Sequence, residues 1–467
     1  MEISLSRQKT DRFGFWIYPL SISIIALSLF VTARSLDKPL YLLGLWLSLS
    51  LLLILLYLRP TFLEVLLFVF PPLNVLIAGL TGLFVLKMIA VWFLLLLTIW
   101  YIKGMTGDWN KNCLRTPYLI PLALYGILLL FSLFLHPMTV VGYYSLPKVV
   151  SLIVIYWILV QLLRGQNLER ILKAIILGTV IGSLGFFLAL GGGSLQQSLS
   201  GFAYGLMRPV VLNQNANTWA TYPLLGLPLL LSLLVHRRSK WTELVWLIPS
   251  ALVLSGVAII TMSRSSLLAI AVAILFIMVS HRRARKLLFI GSVAVGAYIF
   301  AIKPVVLSFL ISILRLKAGL SGRENIWPIV AEVISKHPFF GLGPGWFRQH
   351  SFYFTPFMEN GLSVSISRFN AHNAYLEMAV DIGVFAPIIV LFILLFFANR
   401  SWILWKRLKG KPNFVVLIAI CALMVAGFMR SIFEVYFVVP HLYIDQTIFL
   451  ITLLAIQDQL FYRYYPA

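Results

Sequence analysis

The polar residues best suited to chemistry in this chain stand in one short run, where His372 and Asn373 are followed by Glu377 and Asp381. The run opens an apolar segment, and an ionisable residue in such a segment usually serves a function. An imidazole beside carboxylates can be fixed in one tautomer and accept a proton near neutral pH. The alternatives are a histidine that caps a helix and carboxylates that pair with an arginine elsewhere. We take His372 as the candidate catalytic base and the other three residues as its neighbours.

Four arginines offer positive charge for an anionic substrate. Arg264 lies in a polar hexad between two apolar segments, Arg430 lies at the outer end of a third, and Arg208 lies in a predicted outer segment. Arg323 opens a predicted amphipathic helix, where the helix dipole and the guanidinium both favour an anion. A guanidinium fork matches phosphate oxygens. The alternative interpretation is that neither arginine binds a ligand. Arg264 would then belong to a helical hairpin turn, and Arg323 would be a surface charge paired with Glu324.

Two further motifs could contact substrate. The run 213–217 contains Asn215 and Asn217, which suit the start of a helix and could also bind sugar hydroxyls. The glycine-rich run 341–345 contains Gly343. It does not follow a strand of a βαβ unit, so a dinucleotide-binding loop is excluded and a turn is the default interpretation.

The elements that must position these residues are membrane helices. Of 467 residues, 61% are hydrophobic and 11% are charged, whereas soluble domains average about 25% charged residues. The apolar runs are unbroken rather than alternating, which favours helices over a barrel. The sequence predicts an all-α, polytopic membrane helix bundle of about 12–14 transmembrane helices with one long extracytoplasmic loop that contains short helices.

Charge gives this bundle an orientation. The basic runs 236–240, 281–286 and 406–411 all fall on the cytoplasmic side if the N-terminus is inside. The candidate spans are 14–33, 40–58, 61–80, 83–102, 118–135, 146–163, 170–190, 217–235, 242–262, 265–280, 287–303, 372–398, 413–433 and 442–461.

The chain therefore divides into three predicted parts. Residues 1–303 form transmembrane helices with a cytoplasmic N-terminus, residues 304–371 form the extracytoplasmic loop, and residues 372–467 form the last transmembrane helices with a cytoplasmic C-terminus. The net charge of +22 follows from basic cytoplasmic loops, so no nucleic-acid partner is expected.

Several classes of chemistry lack their motifs. The sequence has no Walker loop, no His-Glu-x-x-His, no Gly-x-Ser-x-Gly and no Asp-x-Asp. Its two cysteines, Cys113 and Cys421, lie far apart and indicate neither a disulfide nor a zinc site. We expect no metal ion and no cofactor.

Taken together, five motifs resemble the O-antigen ligase/polymerase family, which includes lipopolysaccharide O-antigen ligases and Wzy-type polysaccharide polymerases. They are Asn215-Ala216-Asn217-x-x-Ala220, Ser263-Arg264-Ser265, Gly322-Arg323-x-x-x-Trp327, Pro338-x-x-Gly341-x-Gly343-x-Gly345-x-Phe347 and His372-Asn373-x-x-Leu376-Glu377-x-x-x-Asp381-x-Gly383. They cover roughly 215–390. The chain departs from the family at Ala386, where members often carry glycine, and in having more candidate spans than the twelve typical of ligases.

The resemblance implies a metal-independent, inverting glycosyltransferase of the bacterial inner membrane with its active site facing the periplasm. Such enzymes move a glycan en bloc from undecaprenyl diphosphate to an acceptor sugar hydroxyl, so membrane lipid and a lipid-linked glycan donor are the expected partners. His372 matches the residue that activates the acceptor, and Arg264 and Arg323 match the arginines that hold the diphosphate. Glu377 and Asp381 would orient His372 or line the site.

Two questions stay open at this point. The acceptor is either a lipid-A core sugar, as in a ligase, or another lipid-linked glycan, as in a polymerase. The alternative function is a membrane transporter of a small anion such as bicarbonate, for which Lys87 in mid-span and the Pro71-Pro72 break offer limited support.

Overall fold

The computed structural model describes residues 116–136, 140–191, 216–236, 241–281, 323–350, 370–441 and 444–465, together with residues 63, 64, 67, 285, 286 and 290. Regular structure in these ranges is helical throughout, as the apolar runs predicted. The helices are α1 Leu119–Leu135, α2 Val140–Leu162, α3 Leu168–Gly191, α4 Ala216–Trp219, α5 Thr221–His236, α6 Trp241–Thr261, α7 Arg264–Ser280, α8 Arg323–Lys336, α9 Trp346–His350, α10 Ala374–Ile382, α11 Phe385–Leu408, α12 Phe414–Phe433 and α13 Ile444–Tyr464.

Six apolar stretches in the described ranges are long enough to cross a membrane, which confirms the polytopic all-α class. They are Ser145–Leu162, Leu168–Phe187, Ala216–Val235, Glu243–Thr261, Phe385–Leu408 and Phe414–Phe433. Helices α1 and α7 are apolar but shorter. The predicted spans 14–33, 40–58 and 83–102 lie outside the described residues, as do 61–80 and 287–303 apart from isolated positions. The predicted boundary at residue 303 also lies outside them, so the domain division stays a prediction.

One predicted span is two helices. The apolar stretch 372–398 is divided at Gly383 into the short helix α10 and the long helix α11. Gly383 adopts φ +100°, and a Cβ there would lie 2.0 Å from the carbonyl oxygen of Phe339. Hydropathy does not detect this break because both flanks are apolar. The membrane-crossing candidate is Phe385–Leu408, and α10 precedes it.

The described residues fall into two compact units. The first takes those from Met1–Gly79, Arg170–Leu227 and Val245–Thr261, and the second takes those from Leu80–Glu169, Pro228–Leu244 and Met262–Ala467. In the second unit α7 packs along α12, α13 packs on α2, α11 and α12, and α1 packs on α2, α10 and α11. The amphipathic helix α8 packs on α10.

Contacts between aromatic rings show the relative direction of α7 and α12. Phe276, near the end of α7, lies 6.5 Å from the ring of Trp405, and Trp405 lies 5.0 Å from Phe414 at the start of α12. The two helices are therefore antiparallel. Consequently Arg264, the first residue of α7, lies at the same end of the unit as the last turn of α12.

A buried polar cluster joins four helices of the second unit away from that end. Arg400 of α11 forms an ion pair with Asp458 of α13, and Asp458 also accepts from the Tyr156 hydroxyl of α2. Tyr118, which precedes α1, donates its hydroxyl to Gln457. Because each of these side chains is at most 6% exposed, the cluster is shielded from solvent.

Candidate active site

The start of α10 holds His372 in an unusual backbone conformation. Its φ is 46°, in the left-handed region, and its amide donates to Asn370 Oδ1 over 2.9 Å. The helix cap is Asn373, whose side chain accepts from the amides of Tyr375 and Leu376. Thus the histidine is not the cap. Non-glycine residues with positive φ concentrate at functional sites, where the surrounding structure holds them in place.

A carboxylate joins the two residues that the sequence placed at the centre of the site. Glu434 Oε1 lies 3.1 Å from an Arg323 guanidinium nitrogen, and Glu434 Oε2 lies 3.6 Å from His372 Nδ1. The same guanidinium nitrogen donates to the carbonyl of Phe433 over 2.7 Å. His372 and Arg323 are 49 residues apart in sequence, yet both face this one side chain.

Charge around Glu434 keeps it ionised. Burial alone would raise the pKa of its carboxyl, but the His372 imidazole and the charges of Arg430 and Arg323 outweigh burial and lower that pKa. The His372 side chain is 38% exposed and the Glu434 side chain 14%. The site therefore has a buried anion behind a histidine that solvent or a substrate can reach.

The segment 434–441, which begins with Glu434, is held against the last turn of α12 by contacts of Arg430 and Ser431. The Arg430 guanidinium carbon lies 4.0 Å from the centroid of the Tyr436 ring. Ser431 donates its hydroxyl to the carbonyls of Tyr436 and Gly427, over 2.7 and 2.8 Å. The segment that carries Glu434 is thereby fastened to the last turn of α12.

Glu377 and Asp381 are fully buried on α10 and bind partners other than His372. Glu377 Oε2 accepts the Ala371 amide over 2.6 Å, which fixes the residue immediately before His372. Asp381 Oδ2 lies 2.9 Å from Nε2 of His441. The histidine is thus oriented through its backbone by Glu377, and in the described part of the chain its side chain faces Glu434 instead.

Main-chain hydrogen bonds join the glycine-rich turn to α10. Gly343 has φ +95°, and its amide donates to the Asp381 carbonyl over 3.1 Å. The Leu342 amide donates to Val380, and the Val384 amide donates to Pro338, over 2.7 and 2.8 Å. This joint fixes the turn against the helix that presents His372.

Helix α8 is held to the same place by its aromatic residue and its apolar face. Trp327 Nε1 donates to the carbonyl of Ala371 over 3.0 Å. Val330, Phe347 and Val380 form a buried cluster with Ala371 beneath this bond. Arg323 is the first residue of α8, so the packing of that helix sets where the guanidinium lies.

The remaining predicted site residues are not joined to His372 and Arg323 by any contact given above. Arg264 opens α7 at the same end of the second unit, and the hydroxyl of Ser263 beside it contacts the hydroxyl of Ser266 over 3.0 Å. Asn217 lies half-buried in α4, in the first unit. Arg208 and Asn215 lie outside the described residues. Roles for these four residues stay predictions.

Sequence reasoning missed Glu434 and the buried pair Tyr125 and His441. A signal for Glu434 existed, because it follows Arg430 at a spacing of four where a helix ends, and such pairs face each other. Nothing in the sequence indicated that Tyr125, 316 residues away, binds His441. Within the described ranges no group of three or more His, Cys, Asp or Glu side chains is placed to hold a metal ion.

Comparison with known families gives one match. Residues 249–391 match the O-antigen ligase family model. The resemblance seen in the motifs is confirmed over this stretch, which contains α7, α8, α10 and His372. No curated protein matches the chain. The family match supports a membrane glycosyltransferase of the O-antigen ligase or polymerase type and does not favour the transporter alternative.

Proposed function

We propose that this protein moves a glycan en bloc from undecaprenyl diphosphate to an acceptor sugar hydroxyl at the periplasmic face of the bacterial inner membrane. The observation that carries the proposal is the pair of distances from Glu434, 3.6 Å to His372 and 3.1 Å to Arg323. They bring the His372 imidazole and the Arg323 guanidinium to one carboxylate, which supports a proton acceptor beside a phosphate-binding group. An acyl-transfer or redox site would need groups that the motifs of this chain do not include.

The acceptor hydroxyl is activated by His372. Its Nδ1 faces Glu434, so Nε2 is the nitrogen available to the acceptor. As the acceptor oxygen bonds to the anomeric carbon, its proton passes to Nε2, and the imidazolium that forms is stabilised by the Glu434 carboxylate. Attack from the face opposite the diphosphate inverts the anomeric centre.

The diphosphate leaves with the electron pair of the broken bond to the anomeric carbon. Arg323 and Arg264 supply positive charge for it, and each is the first residue of its helix. Backbone amides and the helix dipole add to the guanidinium at such a position. This arrangement meets the developing charge without a metal ion.

The first test is transfer of a glycan from undecaprenyl diphosphate by the purified protein in lipid nanodiscs. The variant His372→Asn removes the base and keeps a residue that tolerates the left-handed backbone, which alanine does less well. We expect the transfer rate to fall by about 10²–10⁴-fold, the usual contribution of a general base. The glycan product, resolved on a gel, measures the rate.

Two controls accompany the His372→Asn experiment. Tyr118→Phe, which changes a buried hydroxyl remote from His372, should transfer at the wild-type rate. A chelator should leave the wild-type rate unchanged if no metal ion takes part. Near-normal transfer by His372→Asn would remove the catalytic role of the histidine, and a loss that a divalent ion restores would overturn the metal-free step.

The acceptor can be identified in the cell. Deletion of the gene, followed by electrophoresis of the surface polysaccharide, separates the two activities of the class. Loss of long glycan from its anchor with retention of lipid-linked polymer indicates a ligase. Single repeats on the anchor indicate a polymerase, and an unchanged pattern contradicts the proposed function.

A further inference from the structure

A buried chain of hydrogen bonds lies behind the proposed site and contains groups that the transfer step does not use. Nε2 of His441 lies 2.9 Å from Asp381 Oδ2, and Nδ1 of His441 lies 2.7 Å from the Tyr125 hydroxyl. All three residues are at most 1% exposed. Both ring nitrogens of His441 are therefore within hydrogen-bond distance of an oxygen of another element. The three side chains join α1, α10 and the segment 434–441.

That segment is closely packed at its centre as well as at its two ends. Phe437 adopts φ +63°, and the Val438 amide donates to the Tyr436 carbonyl over 2.7 Å, which closes a three-residue turn. A Cβ on Gly427 would lie 2.5 Å from the Phe437 ring, so the turn sits directly on α12. With one end fastened at Ser431 and the other at His441, the segment acts as one rigid unit.

Glu434 stands at the beginning of this rigid segment. Its two oxygens set the positions of His372 and Arg323 relative to each other. Movement of the segment by a fraction of an ångström would change both distances, and a displacement of about 1 Å can reduce a rate by about 10²-fold. His441 can act on His372 by two routes, through Asp381 of α10 or through the segment that carries Glu434.

We infer that His441, held between Asp381 and Tyr125, is a positioning residue that fixes the segment 434–441 and, through Glu434, aligns His372 with Arg323. This inference rests on the proposed transfer function. Buried side chains that are hydrogen-bonded to one another can hold a single arrangement of the elements they join. The carboxylate of Asp381 therefore serves the site from inside the protein and does not contact substrate.

The experiment is a double-mutant cycle between Tyr125→Phe and Glu434→Gln, with glycan transfer as the readout. Tyr125→Phe removes one hydroxyl and keeps the ring, so the fold should persist. We expect it to lower kcat about tenfold with little change in KM, which is less than a 1 Å displacement can cause. In the Glu434→Gln background the same change should lower kcat by less than about twofold, because residues that act through one group are not additive.

Hydrogen exchange of the amides in 434–441 gives a readout that needs no activity. Exchange should accelerate in Tyr125→Phe and stay at the wild-type rate in Tyr118→Phe, the matched buried tyrosine bound to Gln457. Unchanged exchange in Tyr125→Phe, or a full tenfold fall of kcat in the Glu434→Gln background, would overturn the inference. Normal transfer by His372→Asn would instead overturn the proposed function, so the two failures are distinct.

Discussion

Glu434 links the two sides of the proposed site, because its two oxygens face His372, the proposed base, and Arg323, the proposed phosphate-binding group, separately. An aspartate would be shorter by one methylene and could not keep both distances. The side chain also explains why Arg323 lies close to His372 without repelling the imidazolium that forms during transfer. The anion between them offsets that repulsion, which in a site of low dielectric constant is stronger than in water.

The variant Arg323→Lys tests whether glycan transfer needs the guanidinium group at this position. One guanidinium nitrogen of Arg323 contacts both the Phe433 carbonyl and the Glu434 carboxylate. Lysine keeps the charge but lacks the planar fork that the proposed step uses to bind phosphate. We expect kcat to fall about tenfold, less than the 10²–10³-fold typical of a lost oxyanion donor. Transfer rates measured over a range of donor concentrations give kcat and KM.

The matched control is Arg407→Lys. Arg407 is exposed in the last turn of α11, with its guanidinium carbon 5.7 Å from the Tyr465 ring. This change should leave kcat within about twofold, since exposed charges contribute little. Equal effects of the two substitutions would mean that the fork at Arg323 has no special part in transfer.

At the scale of elements, α8, α10 and α12 each present one end to the site, and the sequence predicted a site residue at each of them, Arg323, His372 and Arg430. The polar run at His372 and the amphipathic pattern after Arg323 are local signals that a single sequence carries. The break at Gly383 is not such a signal, because it depends on the Phe339 carbonyl, which approaches from another element. The contacts of Glu434 with His372 and Arg323 depend likewise on residues more than 60 positions before it, and its local signal was the spacing of four from Arg430.

Gly383→Ala tests the joint between α10 and the turn that contains Gly341. The added Cβ would meet the Phe339 carbonyl and would force φ +100° on a residue with a side chain. We expect a lower unfolding temperature in detergent and a lower transfer rate, with a cost of more than about 1 kcal/mol for the backbone strain.

Gly410→Ala is the control for this change. Gly410 also has a positive φ of +83°, but in the described part of the chain no atom beyond its two sequence neighbours lies within 4 Å of the position its Cβ would take. Gly410→Ala should therefore lower the unfolding temperature through backbone strain alone, without loss of transfer activity. Equal loss of activity in both variants would contradict the view that the crowded joint positions His372.

At the scale of the whole second unit, the buried cluster of Arg400, Asp458 and Tyr156 stabilises the helices away from the site. Its members come from α11, α13 and α2. Along the chain α11 and α13 flank Glu434, and α11 directly follows α10, which begins after His372. A buried ion pair is costly to form, but the loss of one partner is costlier because it leaves a lone charge. The cluster therefore favours one arrangement of the helices.

Asp458→Asn should destabilise the protein by about 3–5 kcal/mol, the usual effect of an uncompensated buried charge. The double variant Arg400→Met with Asp458→Leu should recover much of that loss, because both charges are removed together. Thermal unfolding in one detergent, followed by tryptophan fluorescence, measures both. A double variant less stable than Asp458→Asn would show that the pair contributes net stability.

The main-chain bonds between the glycine-rich turn and α10 have a consequence for protein engineering. The amide and carbonyl groups at Leu342–Val380, Gly343–Asp381 and Val384–Pro338 do not depend on which side chains surround them. A library that randomises His337 and Phe339, the exposed residues just before this turn, while it keeps the glycines, should therefore yield many folded members. Such a library could be selected for altered glycan preference, with the histidine still held in register.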